Sequence, residues 1–401
     1  MWHQIYINKR NSIILLGLMA TLLCGLGYVF GAAFGGSPDA GWTGMFIAAC
    51  VWLFLMMLSL FGGDQILLAS SRATAVTPDV HPQLFNIVEE MAIAANLPKL
   101  PNIYIINDPA PNAFAAGRSP EHASVAVTAG LLGRLNRDEL QGVVAHEISH
   151  IVHRDILFVT MAGVMLGAIV LLSQVFARGM FYSSMSGRRY SSRSQGGGGA
   201  QAILMVIAIL LAILAPLFAQ LLYFALSRKR EYLADAGAVR LTRYPEGLAS
   251  ALEKIAGTPI SMESANAVTA PMYIANPFRG AKAISLFSTH PPVEERIRIL
   301  RNMAHGAAFK DYNAAYEQVT HRGGVIPPAA IKSDEPVGLR TAAASAPVGS
   351  PKQTQRQIGD IMRKVNGFLF IDCPCGVRLK VPPTLAGRTL HCPRCNRQHT
   401  A

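Results

Sequence analysis

The sequence predicts a mainly α fold with a small β-sheet (α+β), held by about four apolar membrane segments and ending in a small separate unit. Three observations predict it. Of 401 residues, 51% are hydrophobic and only 15% charged, where a soluble domain carries about 25% charged residues. The apolar residues gather in four long charge-free runs. Four of the six cysteines lie between Cys373 and Cys395, which sets off a terminal unit. This composition excludes a disordered chain and an ordinary soluble enzyme. The clustering of the cysteines argues against a disulfide-stapled secreted domain.

Residues 1–63 hold the first two runs. Asn11–Pro38 is 28 residues without a charge, and Ala40–Gly63 is another 24. Each exceeds the roughly 20 residues that a helix needs to cross the hydrocarbon core. Lys9 and Arg10 precede small residues at Gly31–Ala33, as in a signal peptide. The run is too long for a typical signal, however, and a second span follows at once. Retained, it places the N-terminus in the cytoplasm by the positive-inside tendency.

Residues 64–322 form the next unit, interrupted by an apolar hairpin at 156–226. Pro82–Asn96 has the period of an amphipathic helix. Asn102–Asp108, Asn112–Gly117 and Ala123–Thr128 read as short strands. Asn136 and Glu139 make a capping-box pair opening a helix that runs to about Arg154. The hairpin consists of Ile156–Ala177 and Ala202–Leu226, with 22 and 25 charge-free residues, and its loop carries Arg178, Arg188, Arg189 and Arg193. Four arginines outside would oppose the positive-inside tendency. The pair therefore either spans despite them or enters without crossing. Pro216 is expected to kink the second arm. Helices resume at Arg228–Thr242, Pro245–Ala256 and Pro292–Met303. The stretch 323–366, rich in Pro, Ala, Ser and Thr up to about Asp360, reads as a flexible linker. Residues 367–401 form the terminal unit.

The net charge is +12. From Asp64 to Asp155 there are six basic and ten acidic residues, and from Ser227 onward 24 basic and 13 acidic. The C-terminal excess is scattered and not interleaved with aromatic residues, so no nucleic-acid partner is expected. A solvated face near anionic membrane lipids is the plain reading.

His146-Glu147-Ile148-Ser149-His150 is HExxH on the capped helix. Spacing of four puts both imidazoles on one helix face, one turn apart, as two ligands of one tetrahedral zinc require. Glu147 is offset toward the open coordination position, where it can take a proton from an activated water. Glu231-Tyr232-Leu233-Ala234-Asp235 follows the hairpin. There Glu231 is placed to be the third ligand, and Asp235 to hydrogen-bond the distal nitrogen of a ligand histidine. The bland reading of this pair is ion pairing with Arg228 or Arg230 on a solvated face. His153, one turn beyond His150, reads as a surface or supporting histidine and not a ligand.

Cys373-Pro-Cys375 and Cys392-Pro-Arg-Cys395 read as two knuckles of a structural zinc ribbon. The first pair is CxC where CxxC is usual, and His391 could replace one thiolate. A closed four-ligand site has no open position, so this unit suits docking of a protein partner or substrate. Cys24 and Cys50 lie in the apolar runs as packing residues.

The segments VVAHEISHIVHRD, REYLADAGAV, NAFAAG and FSTHPPVEERI together resemble HtpX-type membrane zinc metallopeptidases, relatives of the CAAX prenyl endopeptidases, over roughly Met1–Ala304. The resemblance implies a zincin-like core with a cytoplasm-facing active site at the bacterial inner membrane, and endoproteolysis of misfolded or damaged membrane proteins. On the matching positions it implies zinc bound by His146, His150 and Glu231, Glu147 as catalytic base, and Asp235 behind the ligands. It also implies an edge strand at Asn112, Ala113, Phe114, Ala115, Ala116 and Gly117 that pairs with extended polypeptide. His290 matches a family histidine near the substrate, where it could stabilise an oxyanion. The alternative for His290 is a plain helix-entry residue before Pro292. The ribbon lies outside the resemblance. Two other functions stay open, a non-catalytic membrane adaptor and a selective processing peptidase. An intact Glu147 argues against the adaptor.

Overall fold

The computed structural model describes residues 2–185, 198–265, 269–277, 291–303, 306–342 and 350–400. The expectation for His290 lies outside the described residues. Two long apolar helices come first, α1 (Trp2–Gly35) and α2 (Pro38–Ser70). They turn on Ser37, whose hydroxyl caps α2 by accepting from the Ala40 N–H at 3.2 Å, with Pro38 at the first helical position. The helices approach closely because glycines face one another. A Cβ on Gly44 would lie 2.2 Å from the Gly27 carbonyl oxygen and 2.9 Å from the Gly31 Cα. Small residues four apart are how helices pack in lipid, where no hydrophobic force drives them together. Both helices are long and apolar enough to cross a membrane. The outer face of α2 presents Phe46, Phe54 and Phe61, at 69%, 66% and 70% exposure, a face suited to lipid and not to water.

The hairpin expected at 156–226 appears as α6 (Asp155–Met185) and α7 (Gly198–Thr242). Leu23, Leu26 and Phe30 of α1 pack with Phe158, Met165 and Phe176 of α6 and Ala208 and Ala215 of α7. α7 continues through Pro216 as one helix. α7 therefore carries the chain directly from the apolar bundle to Glu231 and Asp235.

Beneath the bundle lies a four-stranded sheet of β1 (Ala73–Ala75), β2 (Asn102–Ile106), β3 (Ala113–Ser119) and β4 (His122–Thr128), in the order β1-β2-β4-β3. β2 and β4 are parallel, and β3 returns antiparallel along β4 as the edge strand. The irregularity near the end of β3, between Gly117 and Ser119, needs glycine. Gly117 has φ +145°, and a Cβ there would meet the His122 carbonyl oxygen at 2.2 Å. Against the sheet pack α3 (Pro82–Ala94) and α5 (Arg137–Val152), with a short α4 (Ala129–Leu132) between. α5 opens as the sequence predicts: Asn136 Oδ1 accepts from the Glu139 N–H, and the Glu139 carboxylate accepts from the Asn136 N–H, at 2.9 and 2.8 Å. α8 (Pro245–Gly257) and α9 (Val293–Arg301) complete the core.

The expected linker at 323–366 is largely folded. After α10 (Phe309–Thr320) and α11 (Pro328–Lys332), residues up to Arg340 stay on the core. Ile326 and Ala330 are buried in it, and the Ala307 N–H donates to the Val337 carbonyl at 2.7 Å. Arg340 donates to the Thr242 carbonyl, Asp138 and Gln141, each at 2.8 Å. α12 (Pro351–Val365) then docks by Ile358, 1% exposed, against Gly133. The sequence contains the anchors, but they are isolated apolar residues among Pro, Ala and Ser, and no period announces them. The terminal unit is two hairpins, β5 (Leu369–Asp372) with β6 (Arg378–Val381) and β7 (Thr389–His391) with β8 (Gln398–Thr400).

Candidate active site

α5 and α7 cross closely because Gly237 faces Ser149. A Cβ at Gly237 would stand 2.6 Å from the Ser149 hydroxyl oxygen. The crossing brings Glu231 to the two histidines of α5. His146 Nε2 and His150 Nε2 are 3.3 Å apart, and each lies 3.6 Å from a Glu231 carboxylate oxygen. Glu231 and Asp235 do not stand on a solvated face, as the bland reading would have it. Both are buried, at 5% and 0% exposure.

The distal nitrogens define what the near ones can do. His146 Nδ1 lies 3.0 Å from Asp235 Oδ1, and His150 Nδ1 lies 3.3 Å from Asp155 Oδ2. A carboxylate at each Nδ1 assigns the proton to that nitrogen and leaves a lone pair on each Nε2. Two lone pairs and a carboxylate therefore converge, and only a positive charge between them relieves the repulsion. The His146 pKa expresses the same demand. Burial works against its charge, but the hydrogen bonds to Asp235 and Glu231 outweigh burial and raise it to about 9.

The donor set fits zinc. A tetrahedron with ligand bonds of about 2.0–2.2 Å has edges of roughly 3.3–3.6 Å, which match the spacings between the three groups. Three protein ligands also leave a fourth position open, the mark of a catalytic site rather than a structural one.

Asp235 is itself held by Arg296 of α9, whose guanidinium donates to both carboxylate oxygens at 2.8 and 2.7 Å and to the Ile274 carbonyl at 3.0 Å. Arg296 is 1% exposed, and its paired carboxylates raise its pKa against the cost of burial. The charge of Arg296 keeps the buried Asp235 carboxyl below the usual range despite desolvation. Glu147 is 1% exposed, and burial raises its pKa against the nearby imidazoles. The backbone N–H of Ala115 favours its charged form, and its Oε1 is buried with no hydrogen-bond partner.

The six-residue stretch Asn112–Gly117 lies on the edge strand beside Glu147. One end is already paired within the chain. The Ile274 N–H donates to the Ala113 carbonyl at 3.0 Å, and the Asn112 side-chain amide donates to the Ala275 carbonyl at 2.9 Å. Tyr273 anchors this strap, fully buried and edge-to-face with Phe114 at 5.2 Å.

Sequence reading missed Asp155 and Arg296. Asp155 looks like the charge that merely ends the motif before an apolar run. Its spacing of five from His150 was the available signal. Arg296 lies 61 residues from Asp235, in a helix rich in paired charges, and carried no local signal. His153 is 5% exposed, and burial pushes its pKa down to about 4. It is buried and not at the surface, and it is not among the grouped donor atoms.

In the terminal unit Cys373 Sγ lies 3.5 Å from Cys395 Sγ, and Cys375 Sγ lies 3.5 Å from Cys392 Sγ. All four sulfurs fall within 4.8 Å of one another, without His391 in the group. The turn that follows the CxC pair uses Gly376 at φ +85°, the left-handed conformation that glycine adopts freely. Backbone N–H groups of Arg394 and Cys395 favour the Cys392 thiolate and hold that thiol down at about 6.

Residues 78–304 match the sequence pattern of Peptidase family M48. This chain belongs to that family. It is 45% identical over 296 residues to a "Protease HtpX homolog" of Dictyoglomus turgidum, covering 74% of this chain and 92% of the relative. It is 42% identical over 303 residues to another of Ligilactobacillus salivarius, covering 76% of this chain and 100% of the relative. A solved structure titled "Crystal Structure of S. mikatae Ste24p" aligns with 19% identity and a TM-score of 0.39, over 74% of this chain and 66% of that one. The M48 member described here is a membrane metallopeptidase, with the His146, His150 and Glu231 group as its candidate metal centre. For an M48 metallopeptidase that metal is zinc.

Proposed function

We propose that this M48 peptidase is a multi-pass endopeptidase that cuts misfolded or damaged membrane proteins at the cytoplasmic face of a bacterial inner membrane. The single observation that carries the reading is the convergence of two imidazole lone pairs and Glu231 on one point beside an unpaired Glu147 oxygen. His146, His150 and Glu231 hold the zinc, and Asp235 and Asp155 fix the tautomers of the two rings. Zinc supplies a Lewis acid that polarises the scissile carbonyl and acidifies a water. Glu147 takes the proton of the attacking water and delivers it to the leaving amine. Its buried carboxyl, raised in pKa, suits both halves of that transfer. Extended substrate pairs with β3 along Ala115–Gly117, the part of the edge that residues 274–275 leave open.

Four membrane passages are favoured by the exposed apolar faces of α6 and α7 as well as α2. Leu171, Ile203 and Ile213 are 61%, 62% and 66% exposed. Lys9 and Arg10 favour a cytoplasmic N-terminus, which puts the ends of α5 and α7 on the cytoplasmic side. The four cysteines hold a second, structural zinc, since their 3.5 Å spacings approach the edge of a tetrahedron with Zn–S bonds of about 2.3 Å. The ribbon docks a protein partner or substrate.

Full-length protein purified in detergent with zinc is expected to cleave casein. Glu147→Gln should lower cleavage by at least about 100-fold, the scale of one positioned base, while bound zinc stays unchanged. Cleavage that survives this change refutes the assignment of Glu147.

A further inference from the structure

The strap that pairs with the edge strand is fastened at several points. Its two arms meet where the Met262 N–H donates to the Pro277 carbonyl at 3.2 Å. Asp108, 1% exposed, holds the incoming arm. One of its carboxylate oxygens accepts from the Glu263 and Ser264 N–H groups at 2.9 and 3.1 Å and from the Ser264 hydroxyl at 2.9 Å. Met272, Tyr273 and Ile274 are buried, and Arg296 donates to the Ile274 carbonyl at 3.0 Å. Leaving the edge would strip these buried groups of their partners, at a cost for each.

Asn112 pairs with the strap as a backbone residue would. Its Oδ1 accepts from the Ala275 N–H at 3.4 Å, and its side-chain amide donates to the Ala275 carbonyl at 2.9 Å. The Ala113 N–H donates to the same Oδ1 at 3.1 Å, and the Ala113 carbonyl accepts from the Ile274 N–H at 3.0 Å. The Asn112 side chain and the Ala113 backbone are thus spent within the chain. Alternate residues of an antiparallel strand turn their N–H and C=O to the same side, so the next residues facing as Ala113 does are Ala115 and Gly117. The base stands at the first of them, where the Ala115 N–H favours the Glu147 carboxylate. Two residues, about 7 Å, separate Ala115 from Ala113. Ile274 faces Ala113 and Ala275 faces Asn112, so the strap runs antiparallel to β3. A substrate running in the same sense lies in line with the strap, and its C-terminal side meets it end-on.

We propose that the strap is a specificity-determining stop on the substrate edge and that Asn112 is the positioning residue that holds it there. Backbone recognition then ends within about one residue after the scissile bond and continues only before it. The substrate this selects is a polypeptide that is extended before the cut and free to turn away after it. This inference rests on the peptidase reaction proposed for the site.

The test uses full-length zinc-loaded protein in detergent and a casein peptide that spans one mapped cleavage site. The peptide is made in versions that each carry one backbone ester in place of an amide, which removes a single N–H donor. Esters at alternate positions before the cut are expected to lower kcat/KM about fivefold, the worth of one hydrogen bond. Esters two or three residues after the cut should leave it within about twofold. In Asn112→Ala the loosened strap should let the esters after the cut lower kcat/KM as well, with zinc content equal to the parent as the check on folding. If that variant does not fold, the ester series on the parent protein decides alone. Loss of rate from esters two or three residues after the cut in the parent, or from none on either side, overturns the stop. An unchanged pattern in folded Asn112→Ala overturns the role of Asn112. A peptide that is not cleaved at all, or is cleaved equally by Glu147→Gln, refutes the peptidase reading itself and the stop with it, whereas a wrong ester pattern in an active enzyme refutes the stop alone.

Discussion

Asp155 and Asp235 perform one task on two rings. Each sits at an Nδ1 and directs the opposite nitrogen toward the metal, so a metal that displaces the Nε2 proton finds both rings already oriented. Loss of such a supporting carboxylate typically costs about 10–100-fold in metal affinity or activity. Asp155→Asn and Asp235→Asn are therefore each expected to weaken zinc binding by about that factor, read by competition with a chromophoric chelator. Arg296 acts one step further out. Arg296→Leu leaves Asp235 buried with its counter-ion gone, and breaking such a pair costs about 3–5 kcal/mol. A loss of that size in unfolding free energy, read from a lowered denaturant midpoint, is expected, and an unchanged midpoint would show that the pair carries no such weight.

Among the elements, α5 and α7 owe their crossing to what is missing from a side chain. Gly237 allows the approach, and Gly44 does the same between α1 and α2. Element by element, the sequence made much of this legible. The HExxH helix, its capping box, three of the four strands of the main sheet and the four apolar runs all follow from local patterns. What stayed hidden depended on pairings distant in sequence. β1 is three residues long, and Arg296 meets Asp235 only through the packing of α9 on α7. The same holds for residues 323–366, where Ile326, Val337 and Ile358 are single anchors in a stretch of disorder-like composition. Ile358→Ala removes the anchor of α12. Large-to-small changes at buried sites cost about 2–5 kcal/mol, and here the loss should appear locally. The α12 amides are expected to exchange hydrogen faster, while α5 keeps its protection. Unaltered exchange in α12 would mean that Ile358 does not anchor it.

At the scale of the whole molecule, two groups of candidate metal ligands sit in one chain with opposite designs. The peptidase centre is three ligands on two helices with a position left open. The ribbon is four sulfurs on two hairpins, and it closes. In so small a unit, metal ligation supplies much of the folding free energy. Metal analysis is expected to find two zinc per chain, falling to one when Cys392→Ser and Cys395→Ser are combined, with casein cleavage retained. α12 ties the ribbon to the core beside α4, so the two centres are held together by packing and not by a free tether. The apolar faces of α2, α6 and α7 set the other boundary.

The ribbon-cysteine double variant also isolates the centre on which all of this rests. Zinc K-edge X-ray absorption of that protein should show one zinc with nitrogen and oxygen ligands at about 2.0–2.2 Å, two of them imidazole, and no sulfur. The signal should vanish in Glu231→Ala on the same background. A sulfur shell, or full zinc occupancy that survives Glu231→Ala, would contradict the assignment of His146, His150 and Glu231 as the metal's three protein ligands.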